Sequence, residues 1–166
     1  MQIKRLCAQD AGDYYAIRLE ALNMNPEAFA VSYLEEKGQL AEKYLKRFRN
    51  DDSFTFGAFD DDGLIGTVTL IPEKLVKLNH RASIVAMYVK PEKRGNGVAK
   101  QLIKEAITTA RTIKGIEQIH LAVVSSNKAA NSLYASFGFE TYGIEKNALK
   151  IDGTYFDEEL MVLFLK

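Results

Sequence analysis

The chain has one cysteine, Cys7, two histidines, three prolines and no tryptophan among its 166 residues. A lone cysteine cannot close an internal disulfide, which excludes a disulfide scaffold and fits a reducing compartment. His80 and His120 stand far apart in the sequence, and with one cysteine they supply no metal-ligand spacing. An excess of either charge is also missing: 22 Lys and Arg balance 22 Asp and Glu. Nucleic-acid and acidic-membrane partners draw a basic excess, so neither is expected. No stretch approaches the ~18 apolar residues that span a bilayer. Met1 to Leu6 carries two charges with no apolar run behind them and does not read as a secretory signal. There is no repeat, no low-complexity tract and no Pro/Gly/Ser linker. What is present is 47% hydrophobic and 27% charged, an ordinary globular composition at single-domain length. The expectation is one soluble, cytoplasmic domain over residues 1–166.

The periodicity of apolar residues predicts the elements. Ile3–Leu6 reads as a first strand with Cys7 beside it in the core. Asp10 is a helix N-cap, followed by a helix to Leu22 with Tyr15, Leu19 and Leu22 on one face. The segment from Asn23 to Gly38 is too mixed to assign, and Glu35, Glu36 and Lys37 read as exposed. A second helix is expected over Gln39–Arg49. Phe54–Phe59 and Leu64–Ile71 are strands joined by Asp61-Asp62-Gly63, a hairpin signal because Gly63 can take a positive φ. His80–Val89 is a strand that Pro91 terminates. Val98–Ile113 is the clearest helix, with Val98, Leu102, Ile103, Ala106, Ile107 and Ala110 on one face and Lys100, Lys104 and Arg111 on the other. Ile119–Val124 is a strand, Lys128–Phe137 a helix, and Phe139–Tyr142 and Tyr155–Leu165 the last strands. A hairpin meander followed by strand-helix-strand-helix points to an α/β (or α+β) sandwich, a mixed sheet with helices on both faces.

The segment Arg94-Gly95-Asn96-Gly97-Val98-Ala99 carries the chemistry. It follows a strand and opens the long amphipathic helix. Two glycines free the backbone so that successive N–H groups can converge on one point. The positive end of the helix dipole lies there, with Lys93, Arg94 and Lys100 adding charge, which suits phosphate oxygens. The third glycine of the Rossmann fingerprint is absent, since Gln101 and Leu102 follow, and the lysine of a P-loop is absent as well.

Arg94, Gly97 and Ala99 meet the pattern Q/R-x-x-G-x-G/A, which resembles the pyrophosphate-binding motif of the GNAT superfamily of N-acetyltransferases. Downstream, Asn127, Ala130, Tyr134, Gly138 and Phe139 are similar to that family's N-x-x-A-x-x-x-Y-x-x-x-G-F. The two motifs occur in the family's order. The resemblance implies a mostly antiparallel sheet with a V-shaped splay and acetyl-CoA as cosubstrate, without a metal. It implies that the backbone of Met87, Tyr88 and Val89 pairs with the pantetheine arm, as an added strand would. It further implies that the N–H groups of Gly95, Asn96, Gly97, Val98 and Ala99 hold the pyrophosphate, with Arg94 and Lys100 at the same cofactor site adding charge. A backbone amide at Met87 or Tyr88 would stabilise the thioester oxygen. Tyr134 would be the general acid that protonates the leaving thiolate. Asn127 would contact the pantetheine arm or cap the helix it precedes, with Ala130 beside it.

The acceptor the resemblance implies is a primary amine of a small molecule or a protein, expected to attack directly in a ternary complex. A non-catalytic CoA-binding module of the same fold is the other reading. Many relatives place a glutamate base on the fourth strand, whereas Arg81 to Val89 holds no acid here. Glu20, Glu35 and Glu36 are the candidates for meeting a cationic amine. Tyr155, Phe156, Asp157 and Glu158 are expected at the acceptor site or at a homodimer contact, two uses the sequence does not separate.

Overall fold

The structure, a computed structural model, describes residues 1–165; Lys166, the last residue of the expected domain, lies outside the described residues. In chain order it comprises β1 (Gln2–Arg5), α1 (Ala11–Met24), α2 (Tyr33–Lys37), α3 (Glu42–Arg47), β2 (Phe54–Asp60), β3 (Gly63–Pro72), β4 (Arg81–Val89), α4 (Val98–Thr112), β5 (Gln118–Val124), α5 (Lys128–Ser136), β6 (Glu140–Ile151) and β7 (Thr154–Phe164). The strands form one sheet in the order β1-β2-β3-β4-β5-β7-β6, antiparallel except where β4 meets β5. Among the described residues no helix is long and apolar enough to cross a membrane.

Two cores lie on opposite faces of this sheet. On one face α4 buries Val98, Leu102, Ile103, Ala106, Ile107 and Ala110 against Val68, Leu70, Ala82 and Ile119. Each fully buried leucine or isoleucine there contributes about 1.5–3 kcal/mol. Gly66 of β3 lets α4 come close, since a Cβ there would lie 3.2 Å from the Leu102 side chain. On the other face Tyr14, Ile17 and Ala21 of α1 pack with Tyr44 of α3, Leu6, Leu64 and Tyr88.

Several expectations need correction. The buried face of α1 is Ala11, Tyr14, Ile17, Ala21 and Leu22, so the helix is rotated from the stripe expected through Tyr15 and Leu19. Cys7 follows β1 and is exposed rather than core. Between α1 and α3 the chain forms a 3-10 turn at Pro26–Ala28 and then α2, whose Ser32 N-cap accepts from Glu35 N–H while the Glu35 carboxylate accepts from Ser32 N–H. That reciprocal pair is a capping box. The expected helix over Gln39–Arg49 shortens to Glu42–Arg47, with Leu40 left exposed. β6 runs past the expected end at Tyr142 to Ile151, where Asp152-Gly153, a turn the sequence does announce, joins it to β7.

Two features of β4 shape the site. It pairs with β5 only at Arg81–Ser83 with Gln118–His120, after which the strands part and the sheet splays. It also bulges: Val85 lies opposite Thr69 and Tyr88 opposite Thr67, so two residues, Ala86 and Met87, face Val68 alone. Ala86 takes a left-handed φ of +52° at this point.

Candidate active site

The splay opens a cleft of about 1440 Å³ that runs from the start of α4, past β4 and α5, to α1, α2 and α3. Met87, Tyr88, Val89, Arg94, Gly95, Gly97, Val98, Ala99, Lys100, Asn127, Ala130 and Tyr134 all line it. Residues distant in sequence thus meet in one place.

The strand edge follows from the ladder. Lys90 N–H donates to the Ile65 carbonyl at 2.9 Å. Alternation in an antiparallel pair then gives the polar groups of Tyr88 to Thr67 and turns those of Met87 and Val89 away from β3. On that side β5 has already departed. The Val89 carbonyl is taken by Arg94 Nε at 2.9 Å, which leaves the Met87 amide facing the gap.

The glycine turn lies at the end of this edge. Gly95 and Gly97 have φ of +78° and +76°. A Cβ on either would meet nothing within 4 Å, so backbone conformation demands glycine and the turn's outer side is open. Gly97 is the N-cap of α4 and offers no side-chain cap, and no acid occupies the first helical turn. The N–H groups there are available to an anion. Asn96 is the one residue of the turn outside the cleft wall; its amide donates back to the Lys93 and Arg94 carbonyls. Lys93 is held by Asp60 and Asp62 of the β2–β3 hairpin, and those contacts push its pKa up. It therefore braces the turn and stays charged.

Tyr134 lies across the gap on α5, 6% exposed, with its ring edge-on to Phe139. Burial alone pushes its hydroxyl pKa up to about 12. Asn127 caps α5 by accepting from Ala130 N–H at 3.1 Å.

At the opposite end of the cleft stand Tyr14, Arg18, Phe29, Glu36, Lys43, Tyr44 and Arg47. Of the three expected acidic residues, only Glu36 is here. It is 3% exposed, which corrects its reading as a surface residue. It accepts from Tyr44 at 2.5 Å and pairs with Lys43 at 2.6 Å. Burial pushes its pKa up, but the bonds from Lys43 and Tyr44 and the Lys43 and Arg18 charges outweigh this, so the carboxyl lies below its ordinary value. Glu20 is outside the cleft wall, accepting from the Tyr88 hydroxyl at 2.9 Å; burial and this contact raise the Tyr88 pKa. Glu35 is likewise outside, engaged by Ser32. Tyr155, Phe156, Asp157 and Glu158 lie on β7 away from the cleft, with Asp157 paired to Lys146. Arg18, Phe29, Lys43, Tyr44 and Arg47 were not expected from the sequence. The Ser32–Glu35 spacing would have announced α2 and directed attention to Glu36 and α3.

Comparison with known proteins accords with this geometry. Residues 3–160 match the acetyltransferase (GNAT) domain family. The chain is 30% identical over 147 residues to the spermidine N(1)-acetyltransferase of Vibrio cholerae, covering 85% of this chain and 83% of that protein. It is 30% identical over 145 residues to a streptothricin acetyltransferase of Escherichia coli, covering 82% of this chain and 76% of the other. A GNAT-family acetyltransferase from Streptococcus pneumoniae superposes with a TM-score of 0.86 at 20% identity, covering 99% of both chains. A Salmonella typhimurium protein solved with its cofactor acetyl-CoA gives 0.85 at 18% identity, covering 100% of this chain and 94% of that one. With the glycine turn, the splayed strands and the tyrosine of α5 gathered on one cleft, the chain belongs to the GNAT superfamily of acetyl-CoA-dependent N-acetyltransferases.

Proposed function

We propose that this single domain, residues 1–166, transfers an acetyl group from acetyl-CoA to a primary amine that attacks directly within a ternary complex. The observation that carries the reading is the Met87 amide facing an unpaired stretch of β4, with Tyr134 across the gap and the left-handed Gly95 and Gly97 at its end. The residues suit the cosubstrate. An open strand edge matches an extended amide chain, and uncapped helix N–H groups beside glycines match a pyrophosphate.

Each residue then has a task. The N–H groups from Gly95 to Lys100 hold the phosphates, and Val89 and Met87 align the pantetheine arm. Met87 N–H donates to the thioester oxygen as negative charge builds there. Tyr134, kept protonated by burial, gives its proton to the departing sulfur. β4 offers no carboxylate to take the amine's proton, so the amine is expected to enter as the free base or to lose its proton to solvent.

Calorimetric titration of acetyl-CoA into the protein and into a Gly95→Val, Gly97→Val double variant tests this reading. Micromolar binding lost in the variant, with thiol release on adding amines, supports it. Binding without thiol release for any amine would favour the non-catalytic module, and no binding at all would defeat both.

A further inference from the structure

We infer that the acceptor carries a carboxylate as well as its amine, and that Arg18 is the group that takes the carboxylate. This rests on the acetyltransferase reading above and specifies its substrate class.

The acids near the acceptor end are already engaged. Glu36 is held by Lys43 and Tyr44, Asp52 is paired with Lys74 at 2.6 Å, and Glu27 accepts from the Asn25 amide at 3.5 Å. Glu20 and Glu35 are committed outside the cleft. A polyamine entering here would find each of these carboxylates with a partner in place.

Lys43 and Lys74 are taken up in those pairs, but two arginines at this end of the wall have no acid partner among the described residues. Arg18 lies on α1 in the cleft wall, and its NH1 nitrogen is buried with no hydrogen-bond partner. Its guanidinium carbon sits 4.8 Å from the centroid of the Phe29 ring, a stacking contact that orients the fork. Glu36 feels the Arg18 charge, yet no ion pair forms between them within 4 Å among the described residues. Arg47, the next cation along the wall, spends its Nε on the Ser53 hydroxyl rather than on an acid. The NH1 nitrogen is shut in without a partner, whereas Nε and NH2 stay reachable, and a carboxylate is the group whose geometry completes that edge of the fork. An amino acid supplies that carboxylate and the nucleophilic amine in one molecule.

The test compares amino acids with the amines left by removing their carboxylates: leucine with 3-methylbutylamine, phenylalanine with 2-phenylethylamine, and 4-aminobutyrate with propylamine, alongside spermidine. Thiol release from acetyl-CoA gives kcat/KM for each, in the wild type and in Arg18→Met and Arg18→Lys, with acetyl-CoA affinity confirming a folded protein. The expected result is at least a tenfold preference for one amino acid over its partner amine. That preference should collapse at least tenfold in Arg18→Met and return in part in Arg18→Lys. Turnover of plain amines or spermidine in preference to every amino acid, or a preference that Arg18→Met leaves intact, overturns this inference while sparing the acetyltransferase reading. Acetyl-CoA binding without thiol release for any member overturns both.

Discussion

Arg94 closes a ring with Val89: five residues on from the strand, its Nε returns to the Val89 carbonyl at 2.9 Å. Its other arm donates to Asn25 Oδ1 at 2.8 Å, tying the glycine turn to the end of α1. The motif arginine thus fixes the angle between the open edge of β4 and the N-terminus of α4. Replacing it with methionine keeps much of the stem and removes both bonds. Hydrogen bonds from a charged donor contribute about 1.5–3 kcal/mol, so the dissociation constant for acetyl-CoA should rise about tenfold or more. Thermal unfolding should show the domain still folded. An unchanged dissociation constant would mean that the turn holds its shape without Arg94.

Tyr134→Phe isolates the hydroxyl. The ring remains packed on Phe139, so acetyl-CoA affinity should stay within about twofold while kcat falls about 100-fold, the low end for loss of a positioned acid. The pH profile adds a second check. A general acid works only while protonated, and burial pushes this hydroxyl up to about 12. Activity should therefore not decline as pH rises from 7 to about 10, where an ordinary tyrosine would lose its proton. An alkaline decline centred near 10 that Tyr134→Phe abolishes would contradict the burial assigned to this group.

Ala86 gives a prediction about stability. At φ +52° it occupies a region that costs a non-glycine residue about 1–3 kcal/mol, and a β-branched side chain suffers most there. Ala86→Val should lower the denaturant midpoint by an amount worth about 1–2 kcal/mol, whereas Ala86→Gly should hold it level or raise it. If valine is tolerated, the bulge is not where β4 changes course. The same bulge turns Met87 toward the gap, so Ala86→Val should also weaken acetyl-CoA binding.

Local signals were legible where one physical rule governs a segment. The 3.6-residue apolar stripe marks α4, Asp61-Asp62-Gly63 marks the hairpin, and Gly95 and Gly97 mark a turn that needs positive φ. Of those segments, the glycine turn and the start of α4 line one end of the cleft. The opposite end was less legible because it depends on tertiary contact. Arg18 and Glu36 belong to different helices, and only packing of α2 and α3 on α1 brings them to one wall. Alanine has no preference for left-handed backbone, so nothing in the sequence marked the bulge at Ala86. The mixed polarity of β6, mostly exposed along its length, concealed a strand that runs twelve residues.

Glu36 couples this wall of the cleft to stability. Its carboxylate ties α2 to α3 through Tyr44 and Lys43, and without it a buried tyrosine hydroxyl and a lysine lose their partner. Breaking a buried ion pair costs about 3–5 kcal/mol. The Lys43 side chain is 38% exposed and solvent screens part of the interaction, so Glu36→Gln should cost about 2 kcal/mol at pH 7. The sign of the pH dependence follows from the depressed pKa. The folded state holds the ionised form more strongly than the unfolded chain does, so the contribution is full above the ordinary value of 4.5 and is lost as pH falls through the folded pKa. The stability gap between wild type and Glu36→Gln, measured by urea unfolding, should therefore be constant from pH 6 to 8 and narrow below about pH 4.5. A gap that widens on acidification would mean that Glu36 is protonated in the folded protein and that Lys43 is not its partner.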